Sequence, residues 1–431
     1  KTRTAMGKRL LRKDLEQPLA SAPAILRRQN AVGELVRRTM ERGDLMEALG
    51  NVYDLQRLMT KVVYGTVNPR ELLALATTAC HLPGIKQILE GFESPLLREL
   101  WERMDVLDGI RDLIERAIDP ECPITLKDGG VIREGFDAQL DELTGLRKNA
   151  RGYLTAIEER ERERTGIRNL KIGYNRVFGY YIEVTKSNLD QVPEDYIRKQ
   201  TLVGGERFIT PELKELETKV LYATEKQVAL EMQLYDQVRG QVRAQQEAIE
   251  RTAAVCARLD VLCSLAQAAA VNGYVCPTIT LGGGIQIIGG RHPVVEAINR
   301  ESPFIPNDTL LDTGKNRMAV ITGPNMAGKS TYMRQVALIV IMAQMGSFVP
   351  ADSADIGLVD RIFTRVGASD DLAAGQSTFM VEMTEVANIL QNATPNSLVI
   401  LDEIGRGTST FDGMSIARAV VEYLVAEKNL G

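Results

Sequence analysis

Residues 323–330 read Gly323-Pro324-Asn325-Met326-Ala327-Gly328-Lys329-Ser330, two glycines separated by four residues and followed by a lysine and a hydroxyl. This is the Gly-x-x-x-x-Gly-Lys-Ser pattern of a phosphate loop. Its glycines let backbone N–H groups turn inward around phosphate oxygens, and a helix that starts just behind them adds its positive end. Lys329 is expected to hold the β and γ phosphates of a nucleoside triphosphate, and the Ser330 hydroxyl to bind Mg²⁺. The pattern falls between an apolar strand expected at Met318 to Thr322 and a helical run from Thr331, which is the setting it needs.

A nucleotide hydrolase also requires a carboxylate for the metal and a group that orients water. Leu398-Val399-Ile400-Leu401-Asp402-Glu403 supplies both at the end of an apolar strand. Asp402 is expected in the Mg²⁺ shell, and Glu403 as the general base or water-orienting group. Between these motifs, Gly375-Gln376-Ser377-Thr378-Phe379-Met380-Val381-Glu382-Met383 is a glycine- and hydroxyl-rich turn feeding a helix. It is another potential anion site, although its spacing alone reads more simply as a capped helix.

The elements that must carry these groups follow from periodicity. From Gly273 onward, short apolar runs (Ile285 to Ile288, Met318 to Thr322, Leu398 to Leu401) alternate with helical segments, predicting an α/β domain with a mainly parallel sheet. Lys1 to about Asp128 is helical in texture, and Pro18, Pro23, Pro69, Pro83 and Pro95 are expected between helices. A further helix is predicted from about Arg133 to Thr165, ending in the alternating charges of Glu158 to Arg164, a solvated and self-paired surface. Between Ile167 and Pro211 the helical period stops, and Leu170 to Tyr174 with Val177 to Thr185 reads as a β-hairpin turning at Asn175 and Arg176. From Glu212 to Val271 a proline-free helix resumes, with Leu213, Leu216, Val220, Ala223, Leu230, Leu234, Val238, Val242 and Ile249 on one stripe. One helix going out, a β module at its tip and a second helix returning is the economical arrangement.

Length and composition bound the function. At 431 residues the chain is long enough for several domains. Its 44% hydrophobic and 25% charged residues are those of a globular chain and exclude collagen-like or wholly disordered classes. The net charge of −5 leaves no global attraction for polyanions, so a nucleic-acid contact must be local, and residues 167–211 carry a local excess of +2. Cys80, Cys122, Cys256, Cys263 and Cys276 form no Cys-x-x-Cys pair, which fits a reducing cytosol without a disulfide framework or zinc site. The apolar run near Val336 to Val349 is shorter than the ~18 residues a membrane span needs, so a buried helix is expected. The start at Lys1, with no initiating methionine or signal segment, and the end at Gly431 suggest an internal fragment.

Taken together, Gly323 to Ser330, Ser377 to Met383 and Asp402-Glu403-Ile404-Gly405-Arg406-Gly407-Thr408-Ser409-Thr410 are similar to the ATPase domain of the MutS family of DNA mismatch recognition proteins. Gly290-Arg291-His292-Pro293-Val294 is similar as well, and the order of helix, β module and long helix resembles that family's lever and clamp. The resemblance implies a multidomain fold: an all-α lever with long helices, a small β clamp inserted at the tip, and an α/β P-loop ATPase domain of the ABC type. The implied boundaries are 1–166 for the helical core and lever, 167–211 for the clamp, 212–272 for the returning helix and 273–431 for the ATPase domain.

It also implies the site. Glu403 and Lys329 are the catalytic pair, joined in trans by Ser377, which reaches across a dimer interface to the γ-phosphate held by the partner's Lys329. Gly323, Pro324, Asn325, Met326, Ala327, Gly328, Lys329, Ser330 and Thr331 form the ATP cradle, Phe304 stacks on adenine, and Ser330 and Asp402 hold Mg²⁺. Gly405 to Gly413 lie at the same interface. His292 and His81 are expected to be structural. Arg176, Lys186, Lys199 and Arg207 are candidates for DNA backbone contacts, which need only cations and donors. The implied function is ATP-dependent recognition of mismatched duplex DNA, or of small loops, by a cytoplasmic, nucleoid-associated homodimer without a membrane segment, followed by a MutL-type factor.

The family's mismatch-reading Phe-x-Glu wedge and its connector are not found in these residues, and neither is the switch segment with a γ-phosphate-sensing histidine. Impaired hydrolysis is therefore expected. A relative acting on recombination intermediates is the alternative within the family. A cohesin-like ATPase scaffold is the alternative outside it.

Overall fold

The computed structural model describes residues 1–175, 179–299, 303–324, 326–365, 378–405 and 408–426. Asn325, Arg176 and Ser377 lie outside the described residues. In chain order the helices are α1 (Ala5–Glu16), α2 (Ala22–Arg37), α3 (Thr39–Leu49), α4 (Leu55–Tyr64), α5 (Pro69–Glu90), α6 (Pro95–Arg103), α7 (Asp108–Ala117), α8 (Ala138–Thr165), α9 (Pro211–Ala244), α10 (Gln246–Asn272), α11 (Pro293–Ile298), α12 (Lys329–Gln344), α13 (Thr378–Asn392) and α14 (Thr410–Ala426). The strands are β1 (Lys171–Asn175), β2 (Gly179–Thr185), β3 (Ile197–Thr201), β4 (Gly205–Ile209), β5 (Thr278–Thr280), β6 (Ile285–Gly290), β7 (Asn307–Leu311), β8 (Ser353–Gly357), β9 (Ile362–Arg365) and β10 (Leu398–Leu401). They divide into two compact units that cut across chain order. One comprises residues 1–54, 81–106 and 250–431, the other residues 55–80 and 107–249.

In the second unit, β1 to β4 form a four-stranded antiparallel sheet in the order β1-β2-β4-β3. Alternation decides its faces: Ile182, Val184 and Phe208 point inward to meet Ile167, Leu170, Tyr196 and Leu213 from the flanking segments. The Tyr196 hydroxyl donates to Glu161 on α8 at 2.9 Å, and burial pushes that hydroxyl's pKa up. The charge run at the end of α8 is self-paired as expected, through Arg162–Glu158 and Arg164–Glu161.

The first unit holds the remaining sheets. Its four-stranded sheet, in the order β5-β8-β6-β7, pairs β6 antiparallel with both neighbours and only β5 parallel with β8. A separate parallel pair, β9 and β10, stands beside it. The expected mainly parallel sheet is thus corrected to small mixed sheets. The physical reason is visible at Met318 to Thr322, which joins no ladder, with Val320 78% exposed. Behind it, α12 buries Val336, Ile339, Val340 and Ala343 against Ile285, Ile287, Ile356, Leu398 and Ile400.

Two helical expectations also change. Glu212 to Val271 is two helices that meet at Gln245, whose backbone (φ −98°, ψ 19°) leaves the helical basin. Pro83 lies inside α5 instead of between helices. Interior proline costs a helix about 3 kcal/mol. Here Leu82, Ile85 and Leu89 beside it are at most 1% exposed, so their burial holds the helix across the defect.

Two other helices, α5 and α10, are long and apolar enough to cross a bilayer by length and composition. Their apolar windows are 44% and 61% buried in protein. In α10 the interior face even carries Asp260, 1% exposed, which accepts the N–H groups of Arg3 and Thr4 and the Thr4 hydroxyl.

Candidate functional site

The described residues of the loop before α12 have backbone geometry that few sequences allow. Gly328 caps α12 in the left-handed region (φ 89°), and the preceding Met326 takes φ 63° with its side chain fully exposed. From the first residue of α12, Lys329 folds back over the loop. Its Nζ donates to the carbonyls of Gly323 and Pro324, at 2.7 Å each. The cation is thus satisfied by the loop's own backbone. Tyr332, one turn further, anchors α12 to β7 through Thr309 Oγ1 (2.9 Å) and the Asp308 carbonyl (3.1 Å).

Opposite lies the end of β10. Its four apolar residues pair in register with β9, from Leu398 beside Ile362 to Leu401 beside Arg365. This places Asp402 at the strand's exit, 7% exposed, with its N–H donated to the Arg365 carbonyl at 2.8 Å. Glu403 follows, exposed to solvent, at φ 58°. A cavity of about 730 Å³ joins the two motifs, and Met318 to Gly323, Lys329, Asp402 and Glu403 all line it. Ser330, Thr331 and Phe304 are half-buried and lie outside its wall.

The Asp402–Gly405 turn is held from behind. The Gly405 N–H donates to Glu382 Oε1 at 2.5 Å, and Glu382 is in turn 3.8 Å from the Arg365 guanidinium. Neither Glu382 nor Arg365 was singled out for a role by sequence reasoning. The available signal was an acidic residue inside the otherwise apolar run Phe379-Met380-Val381-Glu382-Met383.

A profile described as MutS domain III matches residues 1–266, and one described as MutS domain V matches residues 319–430. The chain belongs to the MutS family. It is 56% identical over 431 residues to the DNA mismatch repair protein MutS of Ruminiclostridium cellulolyticum, covering 100% of this chain and 49% of that protein. The protein of the same name from Caldicellulosiruptor bescii is 55% identical over 430 residues, 100% of this chain and 50% of its own length. The one from Symbiobacterium thermophilum is 55% identical over 424 residues, or 98% and 48%. The chain thus spans about half the length of the curated relatives it matches.

Two other stretches singled out by the MutS resemblance are engaged within the fold. His292, 6% exposed, caps α11 by accepting the Val295 N–H on Nδ1 at 3.2 Å; burial, with Arg334 adding to it, holds its pKa below 6.5. Arg291 pairs with Glu296 at 3.1 Å. In the β module, Arg207 is engaged on the sheet's outer face: it bonds Glu183 (3.1 Å) and Gln200 (3.0 Å), and its guanidinium lies 4.2 Å from the Tyr181 ring centroid. Gly173 leaves room there: a Cβ would come within 2.7 Å of the Tyr181 ring and push it aside. Lys199 sits at the irregularity between Arg198 and Gln200, and Lys186 follows β2; both are exposed.

Proposed function

We propose that this chain is the lever, clamp and ATPase portion of a mismatch repair ATPase that binds ATP with Mg²⁺ and hydrolyses it to switch a dimeric clamp on mismatched duplex DNA. The observation that carries the reading is the single cavity onto which Lys329, Asp402 and Glu403 all open. DNA mismatch repair comes to the chain from the names of its relatives, which also favour repair over an action on recombination intermediates. The cytoplasmic setting, the homodimer with Ser377 acting in trans, and a MutL-type partner belong to the same proposal.

In the proposed reaction the loop of Gly323 to Thr331 wraps the phosphates with backbone N–H groups, and Lys329 leaves its own carbonyls for the β and γ oxygens. Phe304 covers the adenine. Glu403 accepts the proton of the water that attacks the γ-phosphorus, or orients that water, in line with the bridging oxygen that leaves with ADP. The donors present fit magnesium. Among the described residues no group of three or more His, Cys, Asp or Glu is arranged to hold a metal alone, and Mg²⁺ characteristically takes one or two protein oxygens with phosphate and water completing its shell. Ser330 and Asp402 would be those two oxygens. Bound there, Mg²⁺ would neutralise the charge that develops on the phosphates. In the β module, Lys186 and Lys199, with Arg176 and Arg207, would serve DNA phosphates and carry no base information.

Glu403→Ala tests the reading. Hydrolysis, followed by phosphate release, is expected to fall about 10²- to 10⁴-fold, while nucleotide affinity stays within a few-fold because the Lys329 cradle is untouched. Simultaneous loss of both, in protein shown to be folded, would overturn the assignment.

A further inference from the structure

The turn that carries Glu403 is fastened at both ends by one buried pair. At its entrance the Asp402 N–H donates to the backbone carbonyl of Arg365, at 2.8 Å, and at its exit the Gly405 N–H donates to the carboxylate of Glu382, at 2.5 Å. Arg365 and Glu382 are 5% and 3% exposed, and Arg365 Nη2 lies 3.8 Å from Glu382 Oε2. The guanidinium also pairs with Glu385 on the next turn of α13, at 2.9 Å. From a third side the turn rests on α14, where Gly405 (φ 80°) and Gly413 approach so closely that a Cβ on Gly405 would sit 2.5 Å from the Gly413 carbonyl oxygen. Between these fastenings Glu403 is held at φ 58°, a left-handed conformation that costs a non-glycine residue about 1 kcal/mol or more and persists only where the surroundings over-determine it.

We propose that Glu382 is a positioning residue for hydrolysis, its buried carboxylate fixing the Gly405 N–H and thereby aiming Glu403 into the phosphate cavity. This rests on the ATPase reading above. A carboxylate at this depth is stable only with compensating partners. Arg365 neutralises it from the end of β9, and the Gly405 N–H takes its second oxygen. Strand β9 and helix α13 therefore share control of one turn, and a displacement of α13 is passed to Glu403 through a hydrogen bond instead of through loose side-chain contact. The bond is needed because backbone position, not side-chain choice, sets where Glu403 points.

The test compares the chain with its Glu382→Ala and Glu382→Gln variants. Removing the acceptor is expected to lower ATP turnover about ten-fold or more, since small misplacements of a catalytic group are costly, while the Kd for a fluorescent ATP analogue changes less than about three-fold. Glu382→Gln keeps an oxygen for the Gly405 N–H and is expected to restore most of the turnover, which a role resting on the negative charge alone would not allow. Wild-type turnover in Glu382→Ala, or a glutamine variant as impaired as the alanine one, overturns the proposal. Amide exchange of a peptide covering residues 402–413 needs no nucleotide: faster exchange in Glu382→Ala supports the fastening, and an unchanged rate refutes it. Should the unsubstituted chain neither bind nor hydrolyse ATP, the ATPase reading falls while this exchange result still decides whether Glu382 fixes the turn.

Discussion

The two halves of the proposed nucleotide site are made in opposite ways. On one side Gly323, Pro324 and Met326 to Gly328 are exposed, follow a segment that belongs to no sheet, and leave Lys329 bonded to the carbonyls of Gly323 and Pro324. The turn from Asp402 to Gly405 is fixed by a paired strand, a buried ion pair and a glycine-to-glycine contact. The difference teaches where ligand energy must go. On the proposed reading, phosphate would have to reorganise the loop, replacing two backbone acceptors of Lys329, whereas the group proposed to handle water is already placed. Binding and chemistry should therefore be separable by substitution.

Lys329→Ala should have the largest effect on the adaptable side. Losing a charge-assisted contact to two phosphates should lower ATP affinity by about 100-fold, read by titration calorimetry, with thermal stability nearly unchanged because the bonds lost are to exposed carbonyls. An affinity within a few-fold of the original would break the comparison. On the fixed side, Gly413→Ala pushes a methyl onto the Gly405 backbone. It should destabilise the chain by about 1–3 kcal/mol and slow turnover more than it weakens binding, as denaturant melts and kinetics together would show. The smallest effect sharpens the contrast through pH. The pKa of His292 is held below 6.5 by burial, so the folded chain takes up this proton later than the unfolded one. Stability from the α11 cap is present above the ordinary histidine range and declines as pH falls through it, and His292→Asn, which still offers an acceptor for the Val295 N–H, should flatten that decline.

What was legible in the sequence was local. Gly323 to Ser330 and Leu398 to Glu403 are each read from consecutive residues, β10 occupies the residues its apolar run predicts, and Lys329, Asp402 and Glu403 line one cavity; the chemistry assigned to them belongs to the proposed function. The β module was legible for the same reason, since its strands pair with near neighbours in the chain. The role of Glu382 was not, because its partner is an N–H group 23 residues away, and no pattern in the chain encodes which amide a carboxylate will meet. Gln245 and Pro83 mislead in complementary directions: at Gln245 an ordinary, exposed residue ends a helix, and at Pro83 a proline fails to end one because the burial of its neighbours outweighs local preference. Met318 to Thr322 has a strand's composition, yet its pairing depends on strands distant in sequence.

Hydrogen exchange of the chain with and without a non-hydrolysable Mg²⁺–ATP analogue tests the central claim most directly. Peptides covering residues 318–332 should exchange fast alone and become strongly protected with the analogue, while those covering 398–405 should be slow from the outset and change little. Protection appearing only at 398–405, or at neither segment, would contradict the account.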